Sequence, residues 1–143
     1  MRKFHFRLQS ILDLRQKQAD QRKLELGAIA QRCEHLQRQI DQRREDRRKT
    51  VLGRGTSNAD VAFRLAEEAY AQRMDQDVAR LQSELASEEE RRVAAAERYR
   101  EAQQKADVLD RVRTKREQAH REESRRHEQR RLDEVAQRKA YQG

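Results

Sequence analysis

Apolar side chains return along this chain at intervals of three and then four residues. Between residues 8 and 40 one column steps by seven through Leu12, Ala19, Leu26, Cys33 and Ile40. A companion column runs Leu8, Arg15, Arg22, Ile29 and Leu36. From 71 to 109 the same rhythm gives Ala71, Val78, Leu85, Arg92, Tyr99 and Ala106 beside Met74, Leu81, Glu88, Ala95, Ala102 and Leu109. Such a 3-4 spacing holds one stripe of a helix against a neighbour, the pattern of a coiled coil. Arg15, Arg22, Arg92 and Glu88 interrupt it. Their long stems can cover apolar surface while the charged ends reach water.

The one clear break is Leu52-Gly53-Arg54-Gly55-Thr56-Ser57-Asn58. Two glycines suit a helix C-cap and a turn, and Ser57 followed by Asp60 reads as an N-cap with an acid at its third helical position. The pattern therefore predicts an all-α chain: a helix over about 3–51, a turn over about 53–57, and a helix over about 58–140. Helices of this length, near 75 Å and 125 Å at about 1.5 Å per residue, must pair to be stable. A short turn makes them antiparallel. Residues 1–143 are expected to form a single coiled-coil domain, with position i facing roughly 110 minus i, Leu12 near Tyr99 and Leu26 near Leu85. The C-terminal helix then overhangs from about residue 111.

Charge supports the hairpin. Residues 1–52 carry 14 bases and 7 acids, net +7, and residues 53–110 carry 9 bases and 13 acids, net −4. Opposite signs on facing helices favour this pairing over a parallel homodimer, so no stable homo-oligomer is expected. Segment 111–143 carries 11 bases and 6 acids, net +5. It reads either as a solvated, frayed tail or as a shaft that a partner holds.

Composition narrows the function classes. The chain has 143 residues, of which 42% are charged, 34% hydrophobic and 4% aromatic, with no proline and no tryptophan. A packed globule has roughly 45–50% apolar and about 25% charged residues. A thick core and the concave site of a small enzyme are thus disfavoured. The net charge of +8 would admit nucleic acid or an anionic surface, but the acids are interleaved with the bases and no nucleic-acid partner is expected. The basic run Arg43 to Lys49 is interrupted by Glu45 and Asp46 and reads as a solvated helix face. No apolar stretch approaches a membrane span, no signal peptide is visible, and a lone cysteine fits a reducing compartment, so a cytoplasmic location is expected.

Candidate chemistry is sparse. His120 and His127 are two helical turns apart, too far to share a metal, and are expected to be solvated. Cys33 falls in the apolar column and reads as a small buried hydrophobe with no partner that would make it a nucleophile. The Glu88-Glu89-Glu90 run and Asp75/Asp77 have no pocket around them, and Gly53-Arg54-Gly55-Thr56-Ser57 lacks the spacing and lysine of a phosphate loop. Neither an enzyme activity nor a cofactor is expected. The N-terminus stands out instead. Phe4, Leu8, Ile11 and Leu12 make an apolar stripe wider than a two-helix seam requires, either an ordinary packed start or a docking patch.

The opening Phe4-His5-Phe6-Arg7-Leu8-Gln9-Ser10-Ile11-Leu12-Asp13-Leu14-Arg15 resembles the start of the flagellar FliJ family, with its phenylalanine pair, Arg-Leu, a leucine and an arginine. The arginine-rich end with Leu132-Asp133-Glu134-Val135-Ala136 and Arg138 resembles it too. The resemblance covers essentially the whole chain. It implies an antiparallel coiled coil of the flagellar type III export apparatus, similar to the central stalk of rotary ATPases. Such a stalk enters the hexameric export ATPase (FliI-like), promotes its assembly, links it to the export-gate membrane protein (FlhA-like) and handles export chaperones. The implied location is the cytoplasmic face of the inner membrane at the flagellar base. By motif match, the resemblance assigns ATPase docking to Phe4, Phe6, Arg7, Leu8, Leu12, Arg15, Leu132, Asp133 and Glu134. It also implies a gate contact away from that end, set here at Leu36, Ile40, Phe63, Tyr70 and Met74. The alternatives are the equivalent stalk of a virulence secretion system, a generic coiled-coil scaffold, and a charge-driven nucleic-acid binder.

Overall fold

The computed structural model describes residues 2–53 and 60–143. Two helices are present, α1 (Gln9–Gly53) and α2 (Val61–Gln142), and the fold is the expected helical hairpin. The residues foreseen as the turn lie outside the described residues beyond Gly53, as does the foreseen cap Ser57.

Both helices start later than the pattern suggested. The Leu12 N–H donates to the Leu8 carbonyl at 2.9 Å and the Gln9 N–H to the Phe6 carbonyl at 3.1 Å, so α1 begins after Leu8 and residues 2–6 are not helical. At α2 the Arg64 N–H donates to the Asp60 carbonyl at 3.1 Å. Asp60 therefore holds the N-cap place itself rather than the third helical position, and aspartate is among the favoured residues there.

The chain packs as two compact units, Gln21–Tyr99 and Met1–Asp20 with Arg100–Gly143. In the 21–99 unit the two heptad columns form the seam. Cys33, Leu36 and Ile40 of α1 are buried, as are Ala71, Met74, Leu81 and Ala95 of α2. Leu36, Ile40 and Leu81 make one cluster with Val78 and Leu85 packed against it. Ion pairs flank the seam with bases on α1 and acids on α2: Arg32–Glu88 at 3.5 Å, Arg43–Asp77 at 3.7 Å and Arg47–Asp75 at 2.6 Å. The helices run antiparallel, since higher numbers on one meet lower numbers on the other.

The register differs from the expected one. These pairs put position i opposite roughly 120 minus i, not 110 minus i. A turn centred on residue 55 was the wrong guide. Register follows the side chains that interlock, and Leu36 and Ile40 interlock with Val78, Leu81 and Leu85 rather than with the start of α2. Glu88 is a second departure. It is a seam residue whose charged end stays out of water, with its side chain only 10% exposed.

In the other unit Leu12 and Ala19 of α1 and Ala106 of α2 are buried. The unpaired part of α2 begins later than residue 111, because half-buried residues recur at 112, 113, 117, 120 and 124, and only 125–143 are exposed throughout.

Candidate docking surface at the chain ends

The non-helical start of the chain packs on α2 at Arg116 and His120. The ring centroids of Phe4 and His120 are 5.7 Å apart and the planes are tilted by 53°. The Arg116 guanidinium sits 5.8 Å from the centroid of the Phe6 ring, within the range of a cation–π contact. Phe6 is buried, at 4% exposure, and Phe4 is half-buried.

The chain leaves the helix before Gln9 through a turn at Arg7 and Leu8, closed by the bond from the Gln9 N–H to the Phe6 carbonyl, and this sets Phe6 against Arg116 and Phe4 against His120.

The residues matched by motif thus divide. Phe4, Phe6, Leu8 and Leu12 lie together against α2, with Phe6 and Leu12 enclosed by the chain's own side chains. Arg15 is half-buried and its Nη1 donates to Gln18 Oε1 at 3.3 Å, while Arg7 is exposed. Leu132, Asp133 and Glu134 are exposed on the far part of α2, where Gln129 Nε2 donates to Asp133 Oδ1 at 3.2 Å. Phe4 and Phe6 meet His120 and Arg116 of α2, not Leu132, Asp133 or Glu134. The set assigned to the gate divides as well. Leu36, Ile40 and Met74 are buried in the seam, Tyr70 is half-buried, and Phe63 is exposed. His120 is half-buried beside Phe4 rather than solvated, while His127 is exposed.

Glu88 and Arg113 each carry a buried polar atom that the sequence reading did not foresee. Glu88 Oε1 accepts from Arg91 Nη1 at 3.0 Å and pairs with Arg32, whereas its Oε2 is buried with no partner. Arg113, half-buried in the column of Ala106, has a buried Nε without a partner. Cys33 is buried as expected, and the acids beside it, Glu88 and Glu89, do not activate it. Burial pushes its thiol upward from 9.0, Glu89 and Glu88 push the same way, and Arg92 opposes them. A protonated thiol inside a seam is not a nucleophile. No metal-binding group of three or more His, Cys, Asp or Glu occurs among the described residues.

Charge is divided unequally. The unit of 1–20 and 100–143 carries 18 bases and 11 acids, net +7, and the unit of 21–99 carries 16 bases and 15 acids, net +1. Within the first unit, residues 125–143 expose Leu132, Val135 and Tyr141 among arginines. Among the described residues this is a basic helical surface with isolated apolar side chains.

A family model described as Flagellar FliJ protein matches residues 4–143. No curated protein and no solved structure matches the chain.

Proposed function

From the premise that the chain belongs to the flagellar FliJ family, whose members are coiled-coil proteins related to flagellar export, we propose that it is a non-enzymatic stalk of the flagellar type III export apparatus. The observation that carries this reading is residues 125–142. A helix of some eighteen residues, rich in arginine and with nothing packed on it, is marginal alone and gains stability inside a partner. The partner is the hexameric export ATPase, whose ring takes the joined chain ends and is assembled and activated by them. In this reading Leu132, Asp133 and Glu134 touch the ring directly, and Phe6 and Leu12 act by holding α2 in place. Exposed Phe63 and half-buried Tyr70 are the gate-facing candidates that remain accessible. Handling of export chaperones and a place at the cytoplasmic face of the inner membrane complete the proposal.

The test is ATP hydrolysis by the cognate export ATPase, titrated with the full chain and with a 1–124 truncation. Stimulation by the full chain alone is expected. Equal effects of both chains, or no stimulation and no co-elution, would remove the stalk role. A sedimentation run in which the free chain forms a stable dimer would favour a scaffold.

A further inference from the structure

A shallow cleft beside the seam of the 21–99 unit is lined by Gln39, Gln42, Arg80 and Glu84, with Arg43 and Leu81 at its floor. It shows which heptad positions of the two helices share one flank. Four heptads away, at the same positions, α1 carries Ile11 and Leu14 where it had Gln39 and Gln42. There α2 carries Val108 and Val112 where it had Arg80 and Glu84. The floor positions become Arg15 and Leu109.

These are not core residues. Ile11, Leu14 and Val108 are 43%, 53% and 59% exposed. Leu12, Ala19 and Ala106 already fill the seam between the helices. The flank that is polar in one unit is thus apolar in the other, and of its four side chains only Val112 is half-buried by the hairpin's own packing.

The surround of this flank is basic. Lys17, Lys105, Arg111 and Lys115 occupy the neighbouring positions, all exposed, and none has an ion-pair partner among the described residues. Glu101 is the one acid at the corresponding α2 positions between 101 and 115. A second copy of this chain would bring the same positive rim against it and be repelled.

We infer that the flank formed by Ile11, Leu14, Val108 and Val112 is a docking groove for an acidic amphipathic α-helix of a partner protein. The helix lays its apolar stripe along the four side chains and its carboxylates against the four bases, adding a third helix to the hairpin. The inference goes beyond the stalk reading and does not need it, because the ATPase is absent from its test.

The probe is a fluorescein-labelled four-heptad peptide with Leu at the apolar positions and Glu at the flanking ones. Its counterpart has Lys in place of Glu. Fluorescence anisotropy with the full chain should show the acidic peptide binding about tenfold or more tighter than the basic one. The Leu14→Glu/Val108→Glu variant should lose about tenfold or more in affinity with an unchanged melting midpoint, since both side chains are exposed. Lys105→Glu/Lys115→Glu should lose a similar factor. Equal binding of the two peptides, binding indifferent to the variants, or no binding at about 100 µM peptide would overturn the proposal. So would sedimentation equilibrium showing a dimer that the Leu14→Glu/Val108→Glu variant dissolves, which would give the groove to a second copy.

Discussion

Replacing Glu88 by leucine should stabilise the hairpin. The side chain is 10% exposed in a seam whose other buried residues are Leu, Ile, Met, Ala and Cys. Its Oε2 is buried without a partner, a deficit of about 1–3 kcal/mol and more for a charged group. The compensation is small. Arg32 and Arg91 reach only Oε1, and their own side chains are 65% and 58% exposed, so each pair is worth about 0–1 kcal/mol. Leucine removes the orphaned oxygen and adds apolar burial, and the two arginines are left in water rather than stranded. The balance is a gain of about 1–3 kcal/mol, in line with other replacements of buried ions by apolar side chains. Urea unfolding followed by helical circular dichroism measures it, with Glu88→Gln as the control that keeps the shape and drops the charge. A Glu88→Leu chain that unfolds at lower urea than the parent would refute the reasoning. It would mean that the carboxylate is satisfied in solution. A second consequence is specificity: the leucine variant should be freer to slide in register or to dimerise, seen as a mass that rises with concentration.

Phe6→Ala should cost about 3–5 kcal/mol if the 2–8 segment unfolds with the helices, and less if that segment detaches first; amide exchange at residues 9–12 distinguishes the two by losing protection early in the second case. Cys33 should react with a disulfide reagent at pH 8 far more slowly in buffer than in urea. Because its folded pKa lies above the unfolded one, its contribution is whole below the unfolded value near 9 and fades as pH rises through the folded value. The urea midpoint should therefore fall between pH 8 and 10 more in the parent than in Cys33→Ala. Gly27→Ala should stabilise by about 0.5–1 kcal/mol, since a Cβ there meets nothing within 4 Å and glycine weakens a helix interior. Removing residues 125–143 should leave the melting midpoint of the remaining hairpin unchanged, read by the same dichroism signal, because none of those side chains is covered.

The seam was legible because a seven-residue repeat says which face of a helix is hidden, whatever lies opposite. Leu12, Ala19, Cys33, Leu36 and Ile40 are buried for that reason, as are Ala71, Met74, Leu81 and Ala106. The repeat does not say which heptad meets which, and the shift from 110 to 120 is that missing information. Phe4 and Phe6 were visible as an aromatic pair, but continuing the helix through them hid their partners. A chain that turns out of the helix at Arg7 and Leu8 meets α2 at residues a continued helix would not reach, and so Arg116 and His120 were overlooked. Glu88 misled in another way: long side chains at seam positions usually reach water, and only the packing around this one reveals that it does not.

The unequal division of charge has a kinetic consequence. With net +7 on one unit and +1 on the other, an anionic partner approaching through solvent is drawn toward residues 1–20 and 100–143 before any surface is touched. Encounters begin already oriented, and raising the salt slows their onset far more than it hastens their ending. The unit of 21–99, close to neutral, exerts little such pull, so whatever meets it must find it by shape.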